Sequence, residues 1–260
     1  MPESKKLIRC FFIFLCVCMQ MDIHGQCIDR DKITCGGDWS GYDYTFFCPA
    51  YCFSYDGDSS GHWGILNNKI DIRQAPPVVY TLKKKLEDSI LSYAGTAFFS
   101  RLRFYSVDVV FWDSAAKFTP RVPACSAQKC KAKYYFSYEF RPDSIAQYHI
   151  GVALDSLGNV VSKFNFLPAK KYRSIDTSFT YCGLIQSARK AQPGIDPIKE
   201  IKIDYDEKKE RFYWIVIQSE MNSNPTKKGM QSIHKVKIDA SNLHKVSSWT
   251  NYYPVHQDRF

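Results

Sequence analysis

The sequence predicts an α+β fold with two units, each built from one helix followed by an antiparallel meander. Two observations support this prediction. Apolar residues recur at every third or fourth position in two separate stretches, as they do in surface helices. Each stretch is followed by segments in which apolar and polar residues alternate, as they do in strands. Strands and helices do not alternate along the sequence in the way that a parallel, doubly wound sheet requires.

The predicted boundaries follow from these patterns. Residues 1–25 are predicted to be a signal peptide, and residues 26–75 an irregular β region rich in cysteine and glycine. Residues 76–166 form the first helix-plus-meander unit and residues 167–260 the second. The chain has 260 residues, of which 45% are apolar, so it is long enough to bury a substantial core.

The helix of the first unit is predicted to begin at Pro76-Pro77, since proline fits the first turn of a helix, and to end at Gly95. Its apolar stripe consists of Leu82, Leu86 and Ile90, with either Val78 or Val79. Strands are predicted to follow at residues 104–112, 134–140, 148–154 and 160–166. The last two form a hairpin, because residues 155–159 contain the Asp, Gly and Asn that tight turns favour.

The helix of the second unit has an apolar stripe formed by Tyr181, Leu184, Ile185, Ala188 and Ala191. It is predicted to end before Pro193-Gly194. Strands are predicted at residues 198–203, 212–217, 233–239 and 244–249, with a turn at 206–209 and a polar loop at 220–229. The second unit therefore repeats the order of elements found in the first.

The second unit also has the order helix, hairpin, loop and strand, and the string Val236-Lys237-Ile238-Asp239-Ala240. In these features it resembles the PepSY module of bacterial exported proteins, with Ser241 where that module usually has glycine. The resemblance implies a non-catalytic binding or inhibitory module that works outside the cytoplasm. It brings no catalytic residues to this chain.

The N-terminus has the features of an export signal. Lys5, Lys6 and Arg9 precede an apolar run at residues 10–19, and Gly25 offers a small residue at the cleavage point. This run is too short to span about 30 Å of hydrocarbon unaided. The protein is therefore predicted to be exported, to the periplasm or the extracellular space. Retention of the N-terminal segment as a membrane anchor and lipidation of Cys27 are the alternatives.

Cleavage after residue 25 leaves seven of the ten cysteines, so one thiol stays free or pairs with another molecule. Cysteines of exported proteins are usually oxidised. The short separation of Cys125 and Cys130 favours a local disulfide bond, and Cys48 with Cys52 is the second candidate pair. Cys182 is predicted to be a buried thiol or a disulfide partner. These spacings differ from the C-x2-C of structural zinc sites, so neither a metal nor a cofactor is predicted.

The formal net charge is +9, spread over basic runs at residues 83–85, 129–133, 170–173 and 208–211. Solvated faces and turn tips are the first interpretation of these runs. A basic surface that meets an acidic partner or an anionic membrane is the alternative. A nucleic-acid partner is not predicted, because no recognised nucleic-acid motif accompanies the charge.

The segment Gly57-Asp58-Ser59-Ser60-Gly61 fits the G-x-S-x-G pattern of a nucleophile elbow. Its context argues against that role, because the segment precedes the predicted helices and is followed by His62-Trp63-Gly64, a poor helix start. Residues 56–61 also match the first half of a calcium loop, but Asn67 replaces the carboxylate at position 12. The histidines show no metal-binding spacing, and no carboxylate pair suited to glycoside hydrolysis stands out.

These observations predict an exported, non-catalytic binding module, inhibitory or immunity-type, that acts through protein–protein contact with a partner of acidic character. The predicted contact surface is the turn at 206–209 together with the loop at 220–229, which carries Asn222, Asn224, Lys227 and Lys228. The alternative is a small exported hydrolase that uses Ser59 or an unidentified carboxylate pair. A structural envelope component, held at the membrane by an uncleaved N-terminal segment, is a third hypothesis.

Overall fold

The computed structural model describes residues 33–36, 41–42, 51–56, 70–111, 132–162, 164, 166–219, 222–223 and 230–254. Helices and antiparallel sheets are both present, which confirms the predicted α+β class. The predicted signal peptide lies outside the described residues. Within them, no helix has the length and apolar character needed to cross a membrane.

The elements of the described residues follow one another in chain order. They are β1 (Thr34–Gly36), β2 (Gly41–Tyr42), β3 (Tyr51–Asp56), β4 (Ile70–Asp71), α1 (Pro77–Ala94), α2 (Thr96–Phe99), β5 (Leu102–Phe111), β6 (Tyr134–Phe140), β7 (Tyr148–Leu154), α3 (Tyr181–Ala191), β8 (Ile198–Asp206), β9 (Arg211–Gln218), β10 (Asn222–Ser223), β11 (Met230–Asp239) and β12 (Val246–Pro254). They form two sheets, which we call the first and the second sheet.

The first sheet has the strand order β2-β7-β6-β5-β3-β4. Its long strands β5, β6 and β7 are antiparallel, while the short strand β2 runs parallel to β7. In β6, alternate aromatic side chains point into the core, because successive side chains of a strand face opposite ways. On the other face, a Cβ at Gly151 would lie 1.7 Å from the Tyr135 hydroxyl, so only glycine fits beside that buried ring.

Helix α1 buries the predicted stripe, and Val79 rather than Val78 completes it, since Val78 is 45% exposed. The helix ends at Gly95, as predicted. This residue has φ 80° and ψ 166°, a backbone conformation that is essentially restricted to glycine. A Cβ at Gly95 would also lie 3.0 Å from the Cβ of Ala169, so the helix end packs closely on the segment that follows the first sheet.

The predicted strand at residues 160–166 is wrong. Of the residues described in this range, only Val160 makes a bridge, to Leu154. The turn before it is present and is held by Asp155, whose carboxylate accepts hydrogen bonds from the backbone N–H of Leu157 and of Asn159. Beyond the turn the aromatic side chains pack on helix α1 instead of continuing a hairpin. The rings of Phe164 and Phe166 lie 5.2 Å and 5.7 Å from the ring of Tyr93.

The second sheet has the order β1-β8-β9-β11-β10, and β12 pairs with β11. Helix α3 covers one face of it. The helix begins at Thr180, whose hydroxyl accepts a hydrogen bond from the backbone N–H of Gly183, and it buries four residues of the predicted stripe: Tyr181, Leu184, Ile185 and Ala188. The last two strands are longer than the predicted 233–239 and 244–249. Their pairing begins with Met230 opposite Pro254 and ends with Ile238 opposite Val246.

The two sheets share one hydrophobic core. Phe98, in the short helix α2, lies at the junction. Its ring stacks on Phe140 of the first sheet at 4.7 Å and on Phe166 at 5.1 Å, and it lies 6.3 Å from Phe212 of the second sheet. Phe140 and Phe212 also stack directly, at 4.7 Å. Aromatic packing therefore couples the two units.

Candidate functional site

The face of the second sheet that points away from helix α3 is the strongest candidate for a binding surface, and we call it the outer face. Its central strand, β9, presents an apolar stripe there: Tyr213, Ile215 and Ile217. These side chains alternate with Trp214 and Val216, which point into the core. An apolar stripe on the solvent side of a sheet is unusual unless another surface covers it.

Lysines flank this stripe on both sides. Ile215 lies opposite Lys202 of β8 and Lys237 of β11. Ile217 lies opposite Lys235 of β11. The methylene stems of lysine cover apolar surface while the ammonium groups stay in water. Such cover explains why Ile215 is only 8% exposed on a face without a packed layer among the described residues.

Lys237 is held in place by two contacts. Its ammonium group forms an ion pair with Asp206 and lies 4.0 Å from the centre of the Tyr213 ring. Burial alone would raise the pKa of Asp206, but the hydrogen bonds from Lys237 and from the Lys209 backbone outweigh it, so the pKa lies below its ordinary value. The carboxylate is therefore ionised at neutral pH, and it neutralises the charge of Lys237.

Lys202 and Lys235 differ from Lys237, because the ammonium group of neither forms an ion pair or hydrogen bond with the residues that the structure describes. Both line a shallow depression of about 300 Å³. Trp249 of the edge strand β12 lies opposite Lys235, lines the same depression and is 36% exposed. Glu200 and Asp204 also reach this region from β8. The outer face thus combines apolar area with two uncommitted cations and some acidic groups.

Asp239 anchors one end of this face. It is 2% exposed, and it accepts a hydrogen bond of 2.8 Å from Arg211 and one of 2.7 Å from the Ser241 hydroxyl. Burial alone would raise the pKa of Asp239, but the donors Ser241 and Arg211 outweigh it and hold the pKa below the ordinary value of 3.8. Folding is therefore linked to the ionisation of this carboxyl group.

Replacing Asp239 with asparagine is expected to lower the free energy of unfolding at neutral pH by about 1–3 kcal/mol, because Arg211 loses a charged partner. The pKa of this carboxyl group is lower in the folded than in the unfolded protein. Its ionisation therefore stabilises the fold at pH values above the unfolded pKa of 3.8, and this stabilisation is lost as the pH falls through the folded pKa. Urea denaturation between about pH 6 and pH 2 should therefore show the two proteins converging in acid. A constant difference in stability across this range would contradict the account.

The predicted contact elements lie at opposite ends of β9. The turn at 206–209 precedes this strand and the loop at 220–229 follows it, so the outer face lies between them. Asn222 is described only by its backbone, in β10, and Asn224, Lys227 and Lys228 lie outside the described residues. The prediction missed Lys202, Lys235 and Trp249. The alternation within β9 was visible in the sequence, but the strand register that gathers these three side chains was not.

The predicted disulfide pairs fall largely outside the described residues. Cys48, Cys125 and Cys130 lie there, and Cys52 is described only by its backbone, in β3. Cys182, on helix α3, is disulfide-bonded. Both candidate pairs therefore remain predictions.

Groups suited to catalysis or metal binding do not converge in the described part of the chain. No set of three His, Cys, Asp or Glu side chains there could hold a metal ion. His234 is engaged structurally, since its Nδ1 lies 3.1 Å from the Gln192 amide and 2.9 Å from the Thr250 hydroxyl. Ser59, the candidate nucleophile, lies outside the described residues. What the described surface offers is contact area and charge.

A second surface lies beside helix α1. It is an open groove of about 1230 Å³ between the helix and the segment that contains Lys170. The groove brings together two of the basic runs noted in the sequence, those at residues 83–85 and 170–173. The residues that line it are Tyr80, Thr81, Lys84, Lys85, Asp88, Ser89, Ser92, Tyr93, Pro168, Ala169 and Lys170.

Comparison of the chain with protein-family models, with curated proteins and with solved structures finds no match. The functional assignment therefore depends on the geometry and chemistry of the two surfaces described above.

Proposed function

We propose that this protein is an exported, non-catalytic binding module that holds an acidic protein partner against the outer face of the second sheet. The observation that carries the proposal is the position of Lys202 and Lys235. These two cations lie on opposite sides of the apolar stripe, and neither has a partner among the described residues. Trp249 extends the apolar area toward the sheet edge.

The shape of this face favours a protein over a small molecule. Small-molecule sites are concave and enclose most of the ligand, whereas this depression, at about 300 Å³, is at the small end of their size range and opens on a sheet face. Protein interfaces combine an apolar centre containing Trp or Tyr with a charged rim. The outer face has this arrangement, with Ile217 on its central strand, Trp249 toward the sheet edge and charged side chains of both signs around them.

The positions of the lysines also restrict the partner. Lys202 and Lys235 belong to strands on either side of β9, so their Cα atoms are separated by two strand spacings and an offset along the strands, roughly 12 Å in all. The partner should therefore present two carboxylates at about this separation, with apolar side chains between them. Removal of residues 1–25, with three basic and two acidic residues, leaves a net charge of +8, and its long-range attraction would speed association with an acidic protein.

Other features support action outside the cytoplasm. They are the predicted signal peptide, the disulfide bond of Cys182 and the resemblance to the PepSY module, which stays a prediction. An inhibitory or immunity-type role in the periplasm or the extracellular space agrees with all three. Contact with a membrane is expected only if the N-terminal segment is retained.

The alternative, an exported hydrolase using Ser59 or a carboxylate pair, has no specific support in the described residues. It makes a distinct prediction. A fluorophosphonate probe would label the protein, and Ser59→Ala would abolish the labelling.

The proposal is tested by capture from the envelope extract and culture medium of the source cells with three immobilised proteins: the wild type, a Lys202→Glu/Lys235→Glu variant, and an Arg173→Glu/Lys190→Glu control. The control has the same net charge as the variant. Its two exposed substitutions lie on helix α3 and in the loop before it, and neither position lines the groove or the depression. We expect one acidic protein to be retained by the wild type and the control, and to bind the outer-face variant about tenfold more weakly. Equal retention by all three proteins would reject the outer face as the binding surface.

A further inference from the structure

The groove beside helix α1 carries a concentration of positive charge that the outer face does not explain. Lys85 and Lys170 come from distant parts of the chain and line the same groove. Among the residues described, neither forms an ion pair, whereas Lys84 is paired with Asp88 at 2.8 Å. The groove therefore has a net charge of about +2 from side chains that keep their charge at neutral pH.

Two tyrosines mark the ends of this groove. Tyr80 is 43% exposed, and its hydroxyl donates a hydrogen bond of 2.6 Å to the backbone carbonyl of Ile72. Tyr93 is 37% exposed, and its ring packs on Phe164 and Phe166. Both rings are thus fixed without being covered. A rise of 1.5 Å per residue places them roughly 20 Å apart along the helix.

The helix wall between the tyrosines carries hydroxyl groups. Thr81, Ser89 and Ser92 are exposed there and line the groove. The Ser89 hydroxyl donates to the carbonyl of Lys85 on its own helix, which leaves its oxygen able to accept a hydrogen bond. The groove therefore offers exposed ring faces, hydroxyl groups and lysines along an elongated path.

We propose that this groove binds an acidic polysaccharide, a chain of uronic acid units, independently of the protein partner. The C–H face of a sugar ring packs on the apolar face of an aromatic ring, and its hydroxyls pair with side-chain hydroxyls. The uronate carboxylates meet Lys85 and Lys170 as point charges. An acidic peptide would satisfy the lysines alone and would leave the exposed rings and the hydroxyl row without a matching role.

The test measures binding of the full-length protein to polygalacturonate by isothermal titration calorimetry at about 0.15 M ionic strength, where weak long-range attraction is screened. Dextran serves as the neutral polymer and polyglutamate as the acidic peptide. The protein variants are Lys85→Glu/Lys170→Glu, the outer-face variant Lys202→Glu/Lys235→Glu, Tyr80→Ala and Tyr80→Phe. The two double variants have the same net charge, so each is the control for the other.

We expect polygalacturonate to bind, dextran not to bind, and polyglutamate to bind at least tenfold more weakly than polygalacturonate. The groove variant should lose about tenfold in affinity, and the outer-face variant should bind as the wild type does. Tyr80→Ala should weaken binding, and Tyr80→Phe should retain it, because the ring is kept.

Absence of polygalacturonate binding would overturn this inference, and so would equal loss in both double variants. Equal affinity for polyglutamate would reassign the groove to an acidic peptide and would also overturn it. None of these outcomes affects the proposed protein-binding function, which depends on Lys202 and Lys235 on the other surface.

Discussion

Replacing Phe98 with alanine is expected to lower the free energy of unfolding by about 3–5 kcal/mol, because the ring is fully buried and its loss leaves a cavity. The position adds to the effect. Phe98 contacts aromatic rings of both sheets, among them Phe140 and Phe212, so the cavity opens where the two units meet. A loss of this size is a large fraction of the stability of a typical domain.

The measurement is urea denaturation followed by circular dichroism and by tryptophan fluorescence. The shared core predicts a single transition for the wild type by both probes, and a lower midpoint for Phe98→Ala by both. Leu91→Ala is the control, since Leu91 is on helix α1 but 38% exposed, and it should change stability by no more than about 0.5 kcal/mol. Two separate transitions, with only one shifted by Phe98→Ala, would show that the sheets fold independently.

Replacing Trp214 with alanine should have an effect of similar size, about 3–5 kcal/mol. The side chain is fully buried on the inner face of the second sheet and packs on Phe179, with ring centres 4.4 Å apart, and on Tyr181 at 6.0 Å. Its indole N–H is buried and has no hydrogen-bond partner among the described residues, and an unsatisfied donor of this kind costs about 1–3 kcal/mol. Trp214→Phe removes this N–H and keeps an aromatic ring, so it should cost less than half as much as alanine.

Thermal or urea unfolding of the two Trp214 variants tests this prediction. An equal loss in Trp214→Phe and Trp214→Ala would contradict it. Trp249→Ala is a useful comparison, because Trp249 lies on the opposite, outer face and is 36% exposed. Its stability should stay within about 0.5 kcal/mol of the wild type, which separates a role in binding from a role in the core.

Much of the fold could be predicted from the sequence, because local periodicity decides it. The stripe from Leu82 to Ile90 and the stripe of helix α3 identified both long helices. Gly95 ended the first of them, and the alternation at 134–140 and 148–154 gave β6 and β7 their observed bounds. In each case the local sequence has one strong conformational preference, for helix, strand or helix end, and the tertiary structure agrees with it.

Long-range packing decides the features that were not predicted. Residues 160–166 have an alternating pattern, but Phe164 and Phe166 pack on Tyr93, and contact with helix α1 outweighs strand propensity. The short N-terminal strands pair in parallel, β1 with β8 and β2 with β7, which local patterns do not reveal.

The candidate site could not be predicted for the same reason. Lys202, Lys235 and Trp249 come from three different strands, and only the register of the second sheet places them side by side. The lysines of the α1 groove likewise come from runs at 83–85 and 170–173 that are distant in sequence. Their charge was visible in the sequence, but their convergence depends on tertiary contacts.

Photo-cross-linking tests the central claim most directly, that the outer face of the second sheet is where the partner binds. A photoreactive phenylalanine analogue is placed at Ser247, which is exposed and lies opposite Lys237, or at Leu157, which is 80% exposed on a turn of the first unit. Irradiation in the presence of the captured partner should cross-link it to position 247 and not to position 157. Cross-linking at position 157 without any at position 247 would contradict the account.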